Sequence, residues 1–377
     1  MAMSTVRKIK LKSPIVKIIK AMLFIIVLIL GVFLFYRYEI YTIKKLGYSE
    51  ESSNFILFHG LKDYVEPLGE NKTLNEAFSS TDYKEENLDH YKSIKYVKQD
   101  FFISNINALV DKGYSNRNIN MIFAHGNGAD VREFAKRDKV RYLEEFFSVS
   151  YAKLRNYDRY IKYSDETGED DDVTVLIVNL DLDKENYVDP TIVEEFSTTM
   201  LVNKHRQLKE DFVPESLIKI PEPYASSDDL FGVREAVDAF RLMYKAASDE
   251  GYGIVINSAF RSYKDQEETC ETYRKLYGDN YVTNYVAHPG FSEHQTGLGF
   301  DIGSTTTSVF KNSKEYQWML DNAYKYGFIL RFPQKWVTYT GFNPEPWHYR
   351  YVGKEISTYI HEHNIPFEEY YAMFLDD

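Results

Sequence analysis

Chemistry in this sequence concentrates in the stretch PGFSEHQTGLGFDIG, from Pro289 to Gly303. His294 and Asp301 stand seven residues apart, and glycines precede the aspartate at positions 297 and 299. In a strand, successive side chains alternate between faces, so the apolar residues here would face one side and the glycines with Asp301 the other. The glycines leave open space beside the carboxylate, where a metal ion or a substrate backbone can approach. On spacing alone, such a site and a capping histidine with a turn aspartate are equally good interpretations.

A second stretch, PEPWHYRYVG from Pro344 to Gly353, favours the metal site. Glu345 stands three residues before His348, and alternating aromatic residues predict a further strand. His294, Asp301 and His348 together offer three nitrogen and oxygen ligands and leave a fourth position for water, which is the pattern of a catalytic zinc site. Glu345 is then a free carboxylate of the kind that a zinc hydrolase uses as general base.

The elements that must position these residues alternate between helix and short strand. The segment DDLFGVREAVDAFRLMYKAASDEGY has apolar residues at helical spacing from Leu230 to Met243. GIVINSAFRSY then predicts a buried strand with Arg261 at its end, and KDQEETCETYRKLYG returns to helix. This order predicts an α+β domain. Three prolines and a change in composition between Val202 and Tyr224 place its boundary so that the domain comprises residues 203–377.

The motifs SEHQTGLGFDIG and EPWHYRYVG, with SAFRSYKDQ upstream, resemble those of the VanY-type D-alanyl-D-alanine carboxypeptidases. These are zinc metallopeptidases grouped with VanX and with the Hedgehog N-terminal domain. The resemblance covers roughly Lys204 to Tyr359, and its pattern of S-x-H-x-x-G-x-A-x-D followed by E-x-x-H is highly specific. It implies a small, mostly antiparallel sheet with flanking helices.

The resemblance also implies a set of roles: zinc ligands His294, Asp301 and His348, catalytic base Glu345, Arg261 to steady the developing oxyanion, and Ser292 and Gln266 on the substrate side. The implied reaction removes the C-terminal D-alanine from peptidoglycan stem peptides through attack of a zinc-bound water, assisted by Glu345. Gly299 stands where the family pattern has alanine, and we expect a softer strand rather than a lost site. His288 stands where relatives often carry arginine, which bears on substrate fit.

The same scaffold leaves several activities open. An L,D-carboxypeptidase and a wall endopeptidase share the zinc machinery and differ in pocket shape, which motifs do not define. A non-catalytic wall-peptide binding module is a further alternative, although retention of Glu345 with all three ligands favours an enzyme. Serine-type chemistry is excluded, because SYAK, from Ser150 to Lys153, has no K-T-G motif after it. Cys270 lies in a predicted helix beside threonine and glutamate, which does not favour a reactive thiolate.

The N-terminal segment predicts a membrane anchor. Ala21 to Tyr36 is a run of sixteen residues without a charge, and six basic residues precede it. As a helix the run spans roughly 24 Å, slightly less than the hydrocarbon core, so Lys20 and Arg37 would extend to the interfaces. Large and charged residues follow where a cleaved signal peptide has small ones, which favours an uncleaved anchor over a signal peptide. The basic excess predicts that residues 1–40 form a cytoplasmic tail and anchor, with the remainder outside the cell membrane and facing the wall.

Charge divides the chain near the same place. Residues 1–45 hold nine basic residues and one acidic residue, which leaves 36 basic and 56 acidic residues for the rest. A net charge of about −20 on the exterior part argues against binding of nucleic acid or other polyanions. Cys270 is the single cysteine, so no disulfide can form within the chain.

Residues 41–202 predict a mostly helical extracytoplasmic region. KLGYSEESSNFI and DKGYSNRNINMI each place Gly-Tyr-Ser between apolar-periodic segments, where glycine can end one helix and serine can cap the next. Two copies do not make a solenoid, and a pair of helical hairpins is the better interpretation. The later segment VLIVNLDLD is predicted as a strand or as the edge of a buried helix.

Overall fold

The structure is a computed structural model that describes residues 13–376, and the chain divides into two compact units between Glu144 and Glu145. Residues 1–12 hold four of the six basic residues that precede the apolar run, and they lie outside the described residues. The domain boundary drawn from composition, at residue 203, stays a prediction.

The first unit is built of helices. They are α1 Ser13–Lys45, α2 Glu50–Phe58, α3 Lys62–Val65, α4 Lys72–Ser79, α5 Leu88–Ser93, α6 Phe102–Asp111, α7 Asn116–His125 and α8 Gly128–Ala135, while α9 Leu143–Phe147 lies at the division. Ser49 and Ser115, the serines of the two Gly-Tyr-Ser motifs, cap α2 and α7 by accepting from the backbone N–H three residues later. The glycines of both motifs have positive φ, which allows the chain to turn between helices.

Helix α1 carries the apolar run. From Pro14 to Lys45 it is long and apolar enough to cross a membrane, and its most apolar window is not buried by other described parts of the chain. A core helix of a soluble protein would be mostly buried. The helix is therefore a candidate membrane span, as its composition predicts.

A buried cluster of tyrosine and asparagine ties the helices of the first unit to their connecting loops. The Tyr91 hydroxyl donates to Asn107 Oδ1 and accepts from the backbone N–H of Lys84. The Asn107 amide in turn donates to the backbone carbonyl of Asp82 at 2.7 Å. Two side chains thus satisfy backbone groups that helix hydrogen bonding leaves free.

The same cluster recurs within the second unit. The Tyr160 hydroxyl donates to Asn179 Oδ1 and accepts from the backbone N–H of Lys153, and the Asn179 amide donates to the carbonyl of Tyr151 at 2.7 Å. Asn179 ends α11, the helix formed by the segment for which the sequence left strand and helix open.

The second unit combines helices with strands. Its helices are α10 Tyr157–Thr167, α11 Asp171–Asn179, α12 Arg234–Asp249, α13 Tyr263–Tyr277, α14 Asp279–Tyr285, α15 Lys314–Asn322, α16 Val337–Thr340, α17 Lys354–His363 and α18 Phe367–Phe374. Its strands are β1 Thr191–Val193, β2 Arg206–Leu208, β3 Leu217–Lys219, β4 Phe231–Val233, β5 Ile254–Ser258, β6 Gly299–Ser304, β7 Phe328–Phe332 and β8 Glu345–Tyr351.

The main sheet has four strands in the order β5-β6-β8-β7, and each neighbouring pair is antiparallel. The predicted α+β fold with a small, mostly antiparallel sheet is confirmed. The helix predicted from Leu230 onward begins only at Arg234, because the preceding residues form β4 and pair with β3.

Alternation along β6 separates a core face from a site face. Leu298, Phe300 and Ile302 have no exposed surface and pack with Phe240 of α12 and Phe328 of β7. Burying each such side chain contributes about 1.5–3 kcal/mol, so this face fixes the register of the strand. The opposite face carries Asp301, as the sequence pattern predicts.

Candidate active site

Strand pairing places two of the predicted metal ligands opposite each other. Asp301 of β6 is the register partner of His348 of β8, and the His348 Nδ1 atom lies 3.0 Å from Asp301 Oδ1. On the other side of β6, β5 shifts register between Ile256 and Ser258, so that Ser258 pairs with Asp301. The bulge lies where the backbone leaves the sheet toward Arg261.

His294 reaches Asp301 from a short 3₁₀ turn, Glu293–Thr296, that directly precedes β6. The Ser292 hydroxyl caps this turn by accepting from the His294 backbone N–H, and Gly297 ends it at φ 67°. The His294 Nδ1 atom lies 2.7 Å from the carbonyl oxygen of Ala259, which accepts its hydrogen. This bond turns Nε2 toward Asp301 Oδ1, 3.5 Å away.

His294, Asp301 and His348 therefore present one ligand atom each to a common point. The three atoms lie within 4.8 Å of one another, and the two imidazole rings are nearly perpendicular, with centroids 4.9 Å apart. Two ring nitrogens and one carboxylate oxygen form a donor set that suits a divalent transition metal. Both histidines are buried.

The carboxyl groups of Asp301 and Glu345 differ in the direction of their pKa shifts. Although burial raises the pKa of Asp301, its contacts with His294 and His348 outweigh burial and hold the pKa well below its ordinary value. Burial lowers the pKa of His348, but its hydrogen bonds to Asp301 and Glu293 outweigh burial and raise the pKa to about 9. Asp301 is thus held in the ionised form that a metal ligand requires.

Glu345, the first residue of β8, behaves differently. Burial raises its pKa to about 7, His348 opposes that increase, and the negative charges of Asp301 and Glu293 add to it. A carboxyl with a pKa near neutrality can both take and give a proton at physiological pH. This combination of position and pKa marks a candidate general base.

Arg261 is held at the edge of the site by two neutral partners. Its Nη1 group donates to Gln266 Oε1 at 2.8 Å and its Nη2 group to Ser258 Oγ at 3.1 Å. Gln266 is buried, and its amide nitrogen donates to the Ala287 carbonyl. Both ends of the Gln266 side chain are therefore engaged by the protein.

All seven site residues predicted from the sequence line one pocket. Aromatic side chains complete its wall: Tyr273, Tyr281, Tyr285, Phe291, Phe332, Phe342 and Trp347. The rings of Tyr273, Tyr281 and Tyr285 follow one another along α13 and α14 with centroids 5.7 and 4.8 Å apart. The pocket thus has a polar floor and an aromatic side.

Sequence reasoning missed the charged residues behind the site. Ion pairs link four buried residues there: Glu293, Arg331, Arg350 and Glu368. Glu293 also contacts His348. Arg331 and Glu368 carry no recognisable spacing relative to the motifs. Glu293 lies inside the motif, and its position next to His294 was the one available signal.

The two departures from the family pattern have local explanations. A Cβ atom at Gly299 would lie 3.1 Å from His348 Cε1, closer than ordinary carbon contacts of about 3.5–4.0 Å, so glycine leaves room for the imidazole ring. His288 stacks on Tyr187 with ring centroids 3.8 Å apart.

Cys270 is buried, and burial raises the pKa of its thiol, which agrees with a packing role.

Comparison with known proteins places the chain in a family. The sequence model of the VanY D-alanyl-D-alanine carboxypeptidases matches residues 233–354. YodJ of Bacillus subtilis (strain 168) is 37% identical over 190 residues, which are 48% of this chain and 69% of YodJ. VanXYC of Enterococcus gallinarum, a bifunctional D-Ala-D-Ala dipeptidase and carboxypeptidase, is 32% identical over 46% of this chain and 94% of its own length. The solved structure of the LdcB LD-carboxypeptidase is 34% identical, with a TM-score of 0.45 over 50% of this chain and 92% of LdcB.

The fold and the pocket define a metallopeptidase-like enzyme domain. The chain belongs to the VanY family of D-alanyl-D-alanine carboxypeptidases.

Proposed function

We propose that this protein is a zinc-dependent carboxypeptidase that removes the C-terminal D-alanine from peptidoglycan stem peptides, with residues 203–377 as its catalytic domain. One observation carries the proposal: three metal-ligating side chains, Glu345 and Arg261 line a single pocket. A pocket that held only the ligands would suit a structural metal equally well.

The donor set fits zinc. Catalytic zinc sites use three nitrogen or oxygen ligands and keep a fourth position open, and His294, Asp301 and His348 supply that number. The remaining ring nitrogen of each histidine has its own partner in the protein, at Ala259 and at Glu293, as metal-binding histidines require. Bound zinc polarises a substrate carbonyl and lowers the pKa of water to about 7.

Glu345 moves the protons of the reaction. As the base it takes a proton from the attacking water, while the water oxygen bonds to the carbonyl carbon of the terminal peptide bond. It then passes that proton to the departing amine of D-alanine, so the carboxylate is regenerated when the C–N bond breaks. A carboxyl whose pKa burial holds above its ordinary value serves both directions.

Arg261 stabilises the negative charge that develops on the carbonyl oxygen. Gln266 and Ser258 occupy one donor on each terminal nitrogen, and a guanidinium carries five N–H donors in all. Such fixed donors stabilise the transition state without reorganising during the reaction. Gln266 thus contributes by holding Arg261, and Ser292 lines the substrate side of the pocket.

Helix α1 would place this chemistry at the wall. With residues 1–12 in the cytoplasm and α1 across the membrane, the rest of the chain lies on the side where stem peptides occur. The negative charge of that part disfavours binding of nucleic acid.

The test is hydrolysis by the full chain in detergent micelles, loaded with zinc. A stem pentapeptide, a stem tetrapeptide and a cross-linked dimer are supplied separately, and released D-alanine and cleaved dimer are measured by mass spectrometry. We expect release from the pentapeptide, with a rate about 10²–10⁴-fold lower in Glu345→Gln. Glu362→Gln, a change at an exposed position of α17, is the matched control and should keep the full rate.

The other outcomes assign the alternatives. Release from the tetrapeptide alone identifies an L,D-carboxypeptidase, and cleavage of the dimer alone identifies a wall endopeptidase. If zinc binds but no substrate is cut, the wall-peptide binding module becomes the leading account.

A further inference from the structure

Glu293 has an unusual set of contacts for a residue between Ser292 and a metal ligand. It is 4% exposed, and its Oε2 atom lies 3.3 Å from the Nε2 atom of His348. Its Oε1 atom faces two arginines, at 2.8 Å from Arg331 Nε and 3.3 Å from Arg350 Nη1. One buried carboxylate therefore joins β7 and β8 to the motif that supplies His294.

We propose that Glu293 is a positioning residue that holds His348 in the orientation needed for metal binding. By accepting the Nε2 hydrogen, it directs the Nδ1 atom toward the other ligands, where a bound metal would take the place of the Nδ1 proton. That Nδ1 atom is the one that lies 3.0 Å from Asp301, on the side of the metal ligands. The inference rests on the proposed metal site, and it adds a residue and a structural connection to that site.

The two carboxylate oxygens of Glu293 face different partners, the imidazole of His348 and the two arginines. Because both oxygens are used, the position requires a carboxylate. Oε2 accepts from the imidazole, while Oε1 accepts from Arg331 Nε and forms an ion pair with Arg350 Nη1. An amide has one oxygen only, so glutamine must turn its N–H₂ group either toward the imidazole or toward the arginines. Either arrangement replaces an acceptor with a donor that faces another donor.

The arginines extend this support to the C-terminal helix. Arg331, 1% exposed, forms a bidentate pair with Glu368 of α18, at 3.0 Å from Nη1 and 2.5 Å from Nη2. Glu293, Arg331, Arg350 and Glu368 together carry no net charge, and each is nearly inaccessible to water. Because water cannot replace a lost partner there, removal of one charge disturbs the others. Helix α18 therefore belongs to the support of the metal site.

The experiment measures zinc affinity of the full chain in micelles, by competition with a chromophoric chelator and without substrate. We expect Glu293→Gln to weaken zinc binding by about 10–100-fold, the range for loss of a partner of a metal-binding histidine. Glu368→Gln, which removes a charge that pairs with Arg331, should give a smaller loss in the same direction. The melting temperature of each metal-free variant shows whether it is folded.

Glu315→Gln is the matched control. Glu315 is also 4% exposed and accepts hydrogen bonds from Gly253 and Thr306, but it has no contact with the metal ligands. It should keep the zinc affinity of the wild type, even if its melting temperature falls. If Glu293→Gln binds zinc as tightly as Glu315→Gln does, the positioning role is wrong.

Two safeguards keep the test decisive. If Glu293→Gln does not fold without metal, Glu368→Gln alone decides, and unchanged zinc affinity in that variant refutes the proposed support. If the wild-type protein binds no zinc, the proposed function itself fails, which is a different result from equal binding by wild type and variant.

Discussion

Two regions of this molecule bury polar side chains, and they do so in opposite ways. The helical segments use neutral pairs, Tyr91 with Asn107 and Tyr160 with Asn179, and each pair satisfies backbone groups of its own loop. The pocket of the sheet domain instead buries ions around His348. The neutral clusters satisfy backbone groups of their loops, whereas the charged cluster contacts the ring of one histidine, and removal of one charge there disturbs the others.

Removal of the metal should give the largest difference between the pocket and the helical segments. Treatment with a chelator is expected to abolish hydrolysis and to lower the melting transition of the unit that holds residues 145–377, since zinc binds only its folded state. At a zinc concentration 100 times the Kd, the restored stability is about 2.7 kcal/mol. Calorimetry with and without zinc measures it. A comparable shift in the transition of the first unit would contradict the assignment of the metal to the pocket.

Loss of a neutral cluster should give the reverse pattern. Asn107→Ala and Asn179→Ala each leave a buried tyrosine hydroxyl and backbone groups without a partner, at a cost of about 1–3 kcal/mol. Zinc affinity should remain unchanged for Asn107→Ala. Thermal unfolding and chelator competition provide the two measurements. Weaker zinc binding by Asn107→Ala would mean that the helical region also supports the site.

A decrease in pH should protonate the catalytic carboxylate of the pocket and leave the neutral tyrosine-asparagine clusters unchanged. Glu345 acts as a base only when ionised, so kcat/KM falls as the pH drops through its pKa. That pKa lies above the ordinary 4.5 and reaches about 7 through burial; bound zinc adds positive charge and moves it down, so the acid limb falls between these values. Tyr160, with a pKa that burial raises to about 12, stays neutral throughout. The measurement is the pH profile of D-alanine release. If kcat/KM does not fall with decreasing pH between about 7 and 4.5, Glu345 is not the base.

The smallest effect is expected from Gly299→Ala, which restores the family residue. The added methyl lies 3.1 Å from His348 Cε1, so the ring must move by a few tenths of an ångström. Zinc affinity should fall by less than about tenfold, measured by chelator competition. Gly128→Ala in α8 is the control, because its Cβ would meet neighbours no closer than 3.5 Å. A gain in zinc affinity for Gly299→Ala would show that the present chain tolerates the family residue better than the geometry indicates.

The sequence predicts the local parts of this molecule well. Residue types and period-2 alternation are sufficient to predict β6 and β8, the core face at Phe300 and the site face at Asp301. Helix and strand remained undecided for the segment that forms α11, since a short apolar run fits both until its neighbours are known. The start of α12 was wrong by a few residues because pairing with β3 overrides helical spacing.

By itself, the sequence determined the residue types of the candidate metal site, their order and the apolar run of α1, because these depend on residues close together in the chain. The tertiary structure decided which atom of each histidine faces the candidate metal site, since Ala259 contacts the other ring nitrogen of His294 and Glu293 that of His348. It also decided that Arg331 and Glu368 lie behind the pocket, 38 and 75 residues after Glu293 in the chain. Contacts over such separations arise from packing of the sheet against the C-terminal helix, and no local pattern records them.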